Sequence, residues 1–505
     1  MFRFSAFAAA PVFVLLMGGV AQAALTADQV WSGWKEAATS AGLTVTAATE
    51  VSDGGVLTLN GVSVAGNGST VTVSDMTLTE EDDGSVTVEP AAEIKLDMGA
   101  DGGSALVTSE ALVISVSEGE TGLDYGFAAD LLKLAVDSTH PPAVTPAEGT
   151  QAVPATSSAT VSMTALEGGF AGAAGDNNAV SITLATDLLA YEIHDADASL
   201  QMKTSQSNET ADLSAEIDLV LPKTVALAAL TSPEAFSTAL KEGMELTANI
   251  EQGATKGTSV QETPVMPMDM TFNAAPGKTT VSINADAIVM DSMGEGLEFI
   301  VKSSMLPTPQ VTLNTGAIEV GMTMPLIAGE VAGDYRLLLK LADVVLGEEA
   351  WALFDAGKVL PRDPAQLSLD VGGKAKMDVL ALAAAQNKGM VEVTPPEPQS
   401  FDIRALSLSV AGAVLTGTGA FTFDNSAAAA GGAPVPVGTA DVALTGGNGL
   451  IDGLVKTGLM TEEESAGPRM MLGAFATPGT EPDSVTSKIE AKADGQILVN
   501  GQRIK

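Results

Sequence analysis

The 505-residue chain sets 24 Lys and Arg against 63 Asp and Glu, a net charge of −39, and it contains no cysteine and two histidines. That balance repels phosphate backbones and argues against nucleic-acid binding, and the missing cysteine excludes disulfides, thiolate metal centres and cysteine nucleophiles. With 46% hydrophobic residues, at a length that buries about three quarters of the unfolded surface, a folded chain is expected.

Within residues 1–23, Arg3 is the only charge, an apolar stretch runs from Ala6 to Val20, and Ala21-Gln22-Ala23 closes the segment. This is the pattern of a cleavable secretory signal. An uncleaved anchor is the competing reading, opposed by Pro11, by Gly18-Gly19 and by a stretch shorter than the ~20 residues a span needs. Cleavage near Ala23 leaves no integral membrane span. Export without cysteine places the mature region, 24–505, in a Gram-negative periplasm.

Thr26 stands three residues before Gln29 as in a capping box, and Gly42 supplies a stop, which predicts a short helix. Val30, Trp34, Ala38 and Ala41 would form its docking face. From about Glu50 the period changes to two: Leu57 and Leu59, Val71 and Val73, Met76 and Leu78, and Ile94, Leu96 and Met98 alternate with polar residues. These read as half-buried strands, with Asp82-Asp83-Gly84 as a hairpin turn. The alternation returns in 213–221, 246–250, 281–285, 297–301, 318–324, 335–341, 367–371 and 406–410. Helices are expected from Pro233 to near Gly243, over Glu348 to Phe354, and twice between Leu450 and Phe475. Segments 139–158, 395–398 and 427–436 read as loops, and candidate internal boundaries fall near 139–158 and 395–400. The predicted fold is mainly β with a few short helices, α+β in class. Its core is a large, twisted antiparallel sheet or sheets, elongated and grooved. An outer-membrane barrel is disfavoured, because three Tyr and three Trp cannot supply aromatic girdles.

Chemical motifs are sparse. Gly277-Lys278-Thr279 resembles the end of a phosphate loop, yet Phe272 occupies the place of the motif's first glycine. His140 and His194 lack a nucleophile-elbow partner and read as surface histidines, so no catalytic residue, metal ligand or cofactor is assigned. The acidic runs Glu80 to Asp83 and Asp195-x-Asp197 read as solvated turns, with calcium as the alternative. Met266, Met268 and Met270 alternate, with Phe272 continuing that face, and Met322 and Met324 repeat the pattern. Converging thioethers suit copper(I), while packing or an adaptable apolar groove suits the same residues, which makes this the candidate apolar ligand face. Trp351 and Phe354 precede Leu360-Pro361-Arg362-Asp363-Pro364, where two prolines flank an Arg-Asp pair. This reads as a rigid structural corner, with anion binding at Arg362 as the alternative.

Three blocks resemble a bacterial family catalogued as domain of unknown function twenty-one twenty-five. The first runs from Tyr335 to Asp343, through Trp351 to Asp355 and Leu360 to Pro364, to Asp370–Ala375. The second is Asn448 to Leu459, Met470 to Phe475 and Gly495 to Gln502, and the third is the Trp31 to Gly42 helix. The resemblance implies no activity and no catalytic residue. It extends more distantly to the AsmA-like group, which implies long antiparallel sheets of the Gram-negative envelope and lipid transport.

Three functions follow as expectations. The first is a noncatalytic periplasmic protein binding lipid or another apolar ligand on a sheet face. The second is an envelope scaffold or protein-interaction module, and the third a carboxylate-dependent glycan hydrolase. The acidity makes approach to anionic lipid unfavourable without divalent ions.

Overall fold

The computed structural model describes residues 24–66, 68–99, 103–140, 143–144, 153–173, 177–225, 230, 233–308, 310–382, 396–426 and 432–505. The expected signal segment lies outside the described residues. Strands account for 61% of the chain and helices for 13%, arranged around a large antiparallel sheet, so the fold is mainly β as the alternation implies. No helix among the described residues is long and apolar enough to cross a membrane.

The chain forms two compact units, Met1–Thr271 and Phe272–Lys505. Segment 139–158 falls inside the first and 395–400 inside the second. Both expected loops are shorter than the sequence suggests, because strands Leu123–His140 and Ala155–Ala173 pair with each other, and strand Glu397–Val410 begins inside the other loop.

In the first unit, α1 (Ala27–Ser40) opens with the expected capping box: Thr26 accepts from the Gln29 N–H while Gln29 accepts from the Thr26 N–H. It ends at Gly42, whose φ of 75° lets the Leu43 N–H reach back to the Ala38 carbonyl at 2.8 Å. Its apolar face, Val30, Trp31, Trp34 and Ala38, is buried, whereas Ala41 is exposed. That face packs on Leu57, Leu59, Leu78, Val86, Val88 and Val116 to make the core. At its edge the Trp34 indole donates to the Tyr125 hydroxyl at 3.2 Å, and burial pushes that hydroxyl up to about 12. The second helix, α2 (Pro233–Lys241), closes on Gly243 in the same way, the Met244 N–H bonding the Ala239 carbonyl.

Four long strands, Leu123–His140, Ala155–Ala173, Asn178–Asp197 and Met202–Leu221, form an antiparallel meander. Each slips phase in its middle. Pairing skips from Thr164↔Leu131 to Leu166↔Ala129 and from Thr186↔Leu213 to Leu188↔Ala211. Ala165 and Asp212 stand at these breaks with φ of 50° and 47°. Both strands omit one pair there with the register unchanged, and the inward positions move from one parity to the other: in the last strand Asn208 and Thr210 are buried before the break, Leu219 and Leu221 after it. Gly61 and Ala111 sit at equivalent breaks in the neighbouring part of the sheet.

The second unit is a run of antiparallel neighbours from Gly277–Ile283 to Ile497–Val499. Helices among its described residues include α3 (Glu348–Phe354), α4 (Gly447–Lys456) and α5 (Glu462–Phe475). The fifth carries a second capping box, Thr461 with Glu464. Asp483 accepts from the N–H groups of Asn448 and Gly449 and so ties α4 to the hairpin that follows α5.

Candidate functional site

Directly opposed residues of an antiparallel pair point to the same side, so the register reads out each face. In the second unit one row is Ile318, Leu341, Leu367, Leu408, Leu415, Leu444 and Val485, apolar across seven strands. Further along, four residues from the first row in three strands and five across a register shift in the next, Met290, Met322, Leu337, Val371 and Ile403 form a second row. A packed core would hide these side chains, yet Leu337 is 44% exposed and Leu408 36%, and the rest are half-buried. Met322 and Met324 stand on this unit's strand Ala317–Pro325, and Met322 is cross-strand to Met290 and to Leu337.

The other methionines are placed differently. Met268, Met270 and Phe272 alternate on strand Met268–Ala274, half-buried. Met266 precedes that strand, is 50% exposed, and donates its N–H to Thr263 Oγ1 at 3.0 Å. It stands in a turn, so the expected run of three thioethers on one strand is reduced to two. Met266, Met268 and Met270 belong to the first unit, and Phe272, Met322 and Met324 to the second.

At the expected corner Arg362 engages partners other than Asp363, which is exposed. One guanidinium nitrogen bonds Glu348, another donates to the Asp355 carbonyl at 2.9 Å, and the plane lies 5.1 Å from the Trp351 ring. The Phe354 and Trp351 ring centroids lie 5.1 Å apart, the planes tilted by 46°. The Asp355 carboxylate is fully buried and accepts from the Val359 and Leu360 N–H groups at 2.8 and 3.0 Å. The two terminal nitrogens of Arg362 thus bind within the fold, while its Nε is buried without a hydrogen-bond partner among the described residues.

A second guanidinium cluster lies on the sheet. Arg336 grips Asp370 through two bonds of 3.0 and 2.7 Å, and Arg404 approaches the same carboxylate at 3.5 Å. The hydrogen bonds from Arg336 hold the Asp370 carboxyl below its usual value. A depressed carboxyl contributes stability above its unfolded pKa of about 3.9, and that contribution is lost as pH falls through the folded value. Asp370→Asn is therefore expected to be less stable than the natural chain at neutral pH, with the gap closing in acid. Urea unfolding across that range checks it, and a gap independent of pH would remove the ion pair as its source.

The first unit holds a site that the sequence reading missed. A concavity of about 690 Å³ is lined by the ends of neighbouring strands. One row across it is Ser104, Asp137, Ser158, His194 and Ser205. His194 Nδ1 lies 3.1 Å from Ser205 Oγ, and its Nε2 lies 4.0 Å from Glu192. A Ser–His–carboxylate sequence is present, but the backbone N–H groups here belong to the sheet ladder, which leaves no preorganised oxyanion donors. The only sequence signal was the spacing of polar residues at every second position, which reads as a solvated face. Among the described residues no group of three or more His, Cys, Asp or Glu is arranged to hold a metal ion.

No protein-family model matches the chain, and neither a curated protein nor a solved structure is significantly similar to it.

Proposed function

We propose that the chain is a noncatalytic protein of the bacterial periplasm that holds a lipid, or another ligand with an acyl chain, on the apolar sheet face of its second unit. The observation that carries the reading is the pair of apolar rows, in which Leu408 of the first and Leu337 of the second are left open to solvent. Apolar surface at about 25 cal/mol per Å² gains most from a hydrocarbon ligand, and a contiguous exposed patch of this kind marks a binding face. The reading takes the sheet to be elongated and grooved along this side. The secretory-type N-terminus and the resemblance to envelope families support the compartment.

The test is mass spectrometry of lipids that co-purify with the mature protein, against an unrelated acidic periplasmic protein handled identically. Stoichiometric enrichment is expected. In Leu337→Glu with Leu408→Glu, a charge placed against hydrocarbon should lower bound lipid about tenfold while far-UV dichroism is unchanged. Lipid at control levels, or equal lipid on the variant, would sink the proposal. Capture of a defined envelope protein by cross-linking, with no lipid, would favour the scaffold reading instead.

A further inference from the structure

We infer that the polar concavity of the first unit is a second binding site, for a neutral, hydroxyl-rich ligand of the saccharide class. Its volume of about 690 Å³ lies within the range of ligand pockets. Its chemistry differs from that of the apolar face. Asp137, Ser158, His194 and Ser205 stand in one cross-strand row, and Thr139, Thr156 and Lys203 follow in the next row on the same side. Neighbouring strands lie about 4.8 Å apart, so these rows make a lattice of donors and acceptors at fixed spacing.

The mix of groups selects the ligand. A phosphate or carboxylate would meet the Asp137 carboxylate with Lys203 as the one permanent cation in the lining, and a metal ion would meet Lys203. Near balance of charge disfavours both ions. Ligand hydroxyl groups both donate and accept: they can donate to Asp137 and accept from Lys203, while Ser and Thr hydroxyls serve either way. A charge-assisted bond to Asp137 is the strongest contact available in the row. His194 is already oriented by Ser205, with 3.1 Å between Nδ1 and Oγ, which leaves the other edge of its ring to the concavity and Glu192. Asp195, the other lining carboxylate, leaves the strand on the opposite side of the pleat from His194. Asp137 is therefore the carboxylate of this row.

The chain's two histidines make the test direct. Full-length mature protein labelled with ¹³C at the histidine ring gives two resonances, assigned with His140→Gln. Chitotetraose and maltotetraose serve as neutral probes, with inorganic phosphate and calcium chloride as ionic ones. Either saccharide is expected to shift the His194 resonance saturably, and the isosteric Asp137→Asn should weaken that binding about tenfold or more. Ser158→Ala, a smaller change in the same row, should weaken it less and guards against misfolding of the first variant. No saturable shift with either saccharide overturns the proposal, as does a shift with phosphate or calcium alone. Neither result bears on lipid carried by the second unit, which is read by mass spectrometry.

Discussion

Replacing Asp355 with alanine is expected to destabilise the second unit by about 3–5 kcal/mol, the usual loss when one member of a buried, hydrogen-bonded charge pair is removed. The carboxylate is fully buried, and three groups depend on it: the Val359 and Leu360 N–H groups and the Arg362 guanidinium, 3.8 Å away. Without it one buried and one part-buried donor lose their acceptor, and among the described residues Glu348, which is 66% exposed, is the charged partner left to Arg362. Glu348→Gln is the contrast. An exposed partner is screened by water, so that substitution should cost far less than the loss of Asp355. Urea unfolding of the full chain, followed by Trp351 fluorescence in a background with Trp31 and Trp34 replaced by phenylalanine, reads the second unit. Equal losses for the two variants would mean that the corner is held by packing rather than by Asp355.

Leu78→Ala should cost the first unit about 2–5 kcal/mol, because the side chain is fully buried and its removal leaves a cavity. Leu78 is cross-strand to Leu57 and Val88, and all three lie in the cluster that α1 covers. Leu337→Ala is the informative partner. It also shortens a leucine on a sheet face, but at 44% exposure most of the transfer energy is absent, and a loss below about 1 kcal/mol is expected. Thermal or urea unfolding of both variants measures the difference between a filled face and an open one. If Leu337→Ala proved as costly as Leu78→Ala, the face of the second unit would be a closed core and the lipid proposal would lose its physical basis.

Much of the local structure was legible because short-range chemistry specifies it. The Thr26 capping box, the glycine stops at Gly42 and Gly243, and the Asp83-Gly84 turn each depend on residues within a few positions of one another. The Asn500-Gly501 hairpin, with φ of 52° and 80°, carried an equally strong signal that the reading did not use. Uninterrupted alternation identified several strands of the second unit, since every second residue keeps the same face, but not Ala413–Asp424, Val435–Thr445 or Ser484–Ala491.

The long strands of the first unit show where that method fails. Val161 and Met163 occupy odd positions and Leu166 and Phe170 even ones, so a test for a constant period sees two weak fragments around Ala165. Polarity hid the rest: Thr186, Asn208 and Thr210 are buried although their residue types are those of a solvated face. At the corner the sequence shows only that Arg362 stands beside Asp363, whereas the backbone path brings Glu348 and Asp355, fourteen and seven residues away, to the guanidinium. Composition, capping and periodicity thus pointed to the class of fold, the helices and part of the strands, because those depend on neighbouring residues. Register decided which residues share a face, which apolar face is open, and that Asp137, Ser158, His194 and Ser205 form one row, because each is brought there by a different strand.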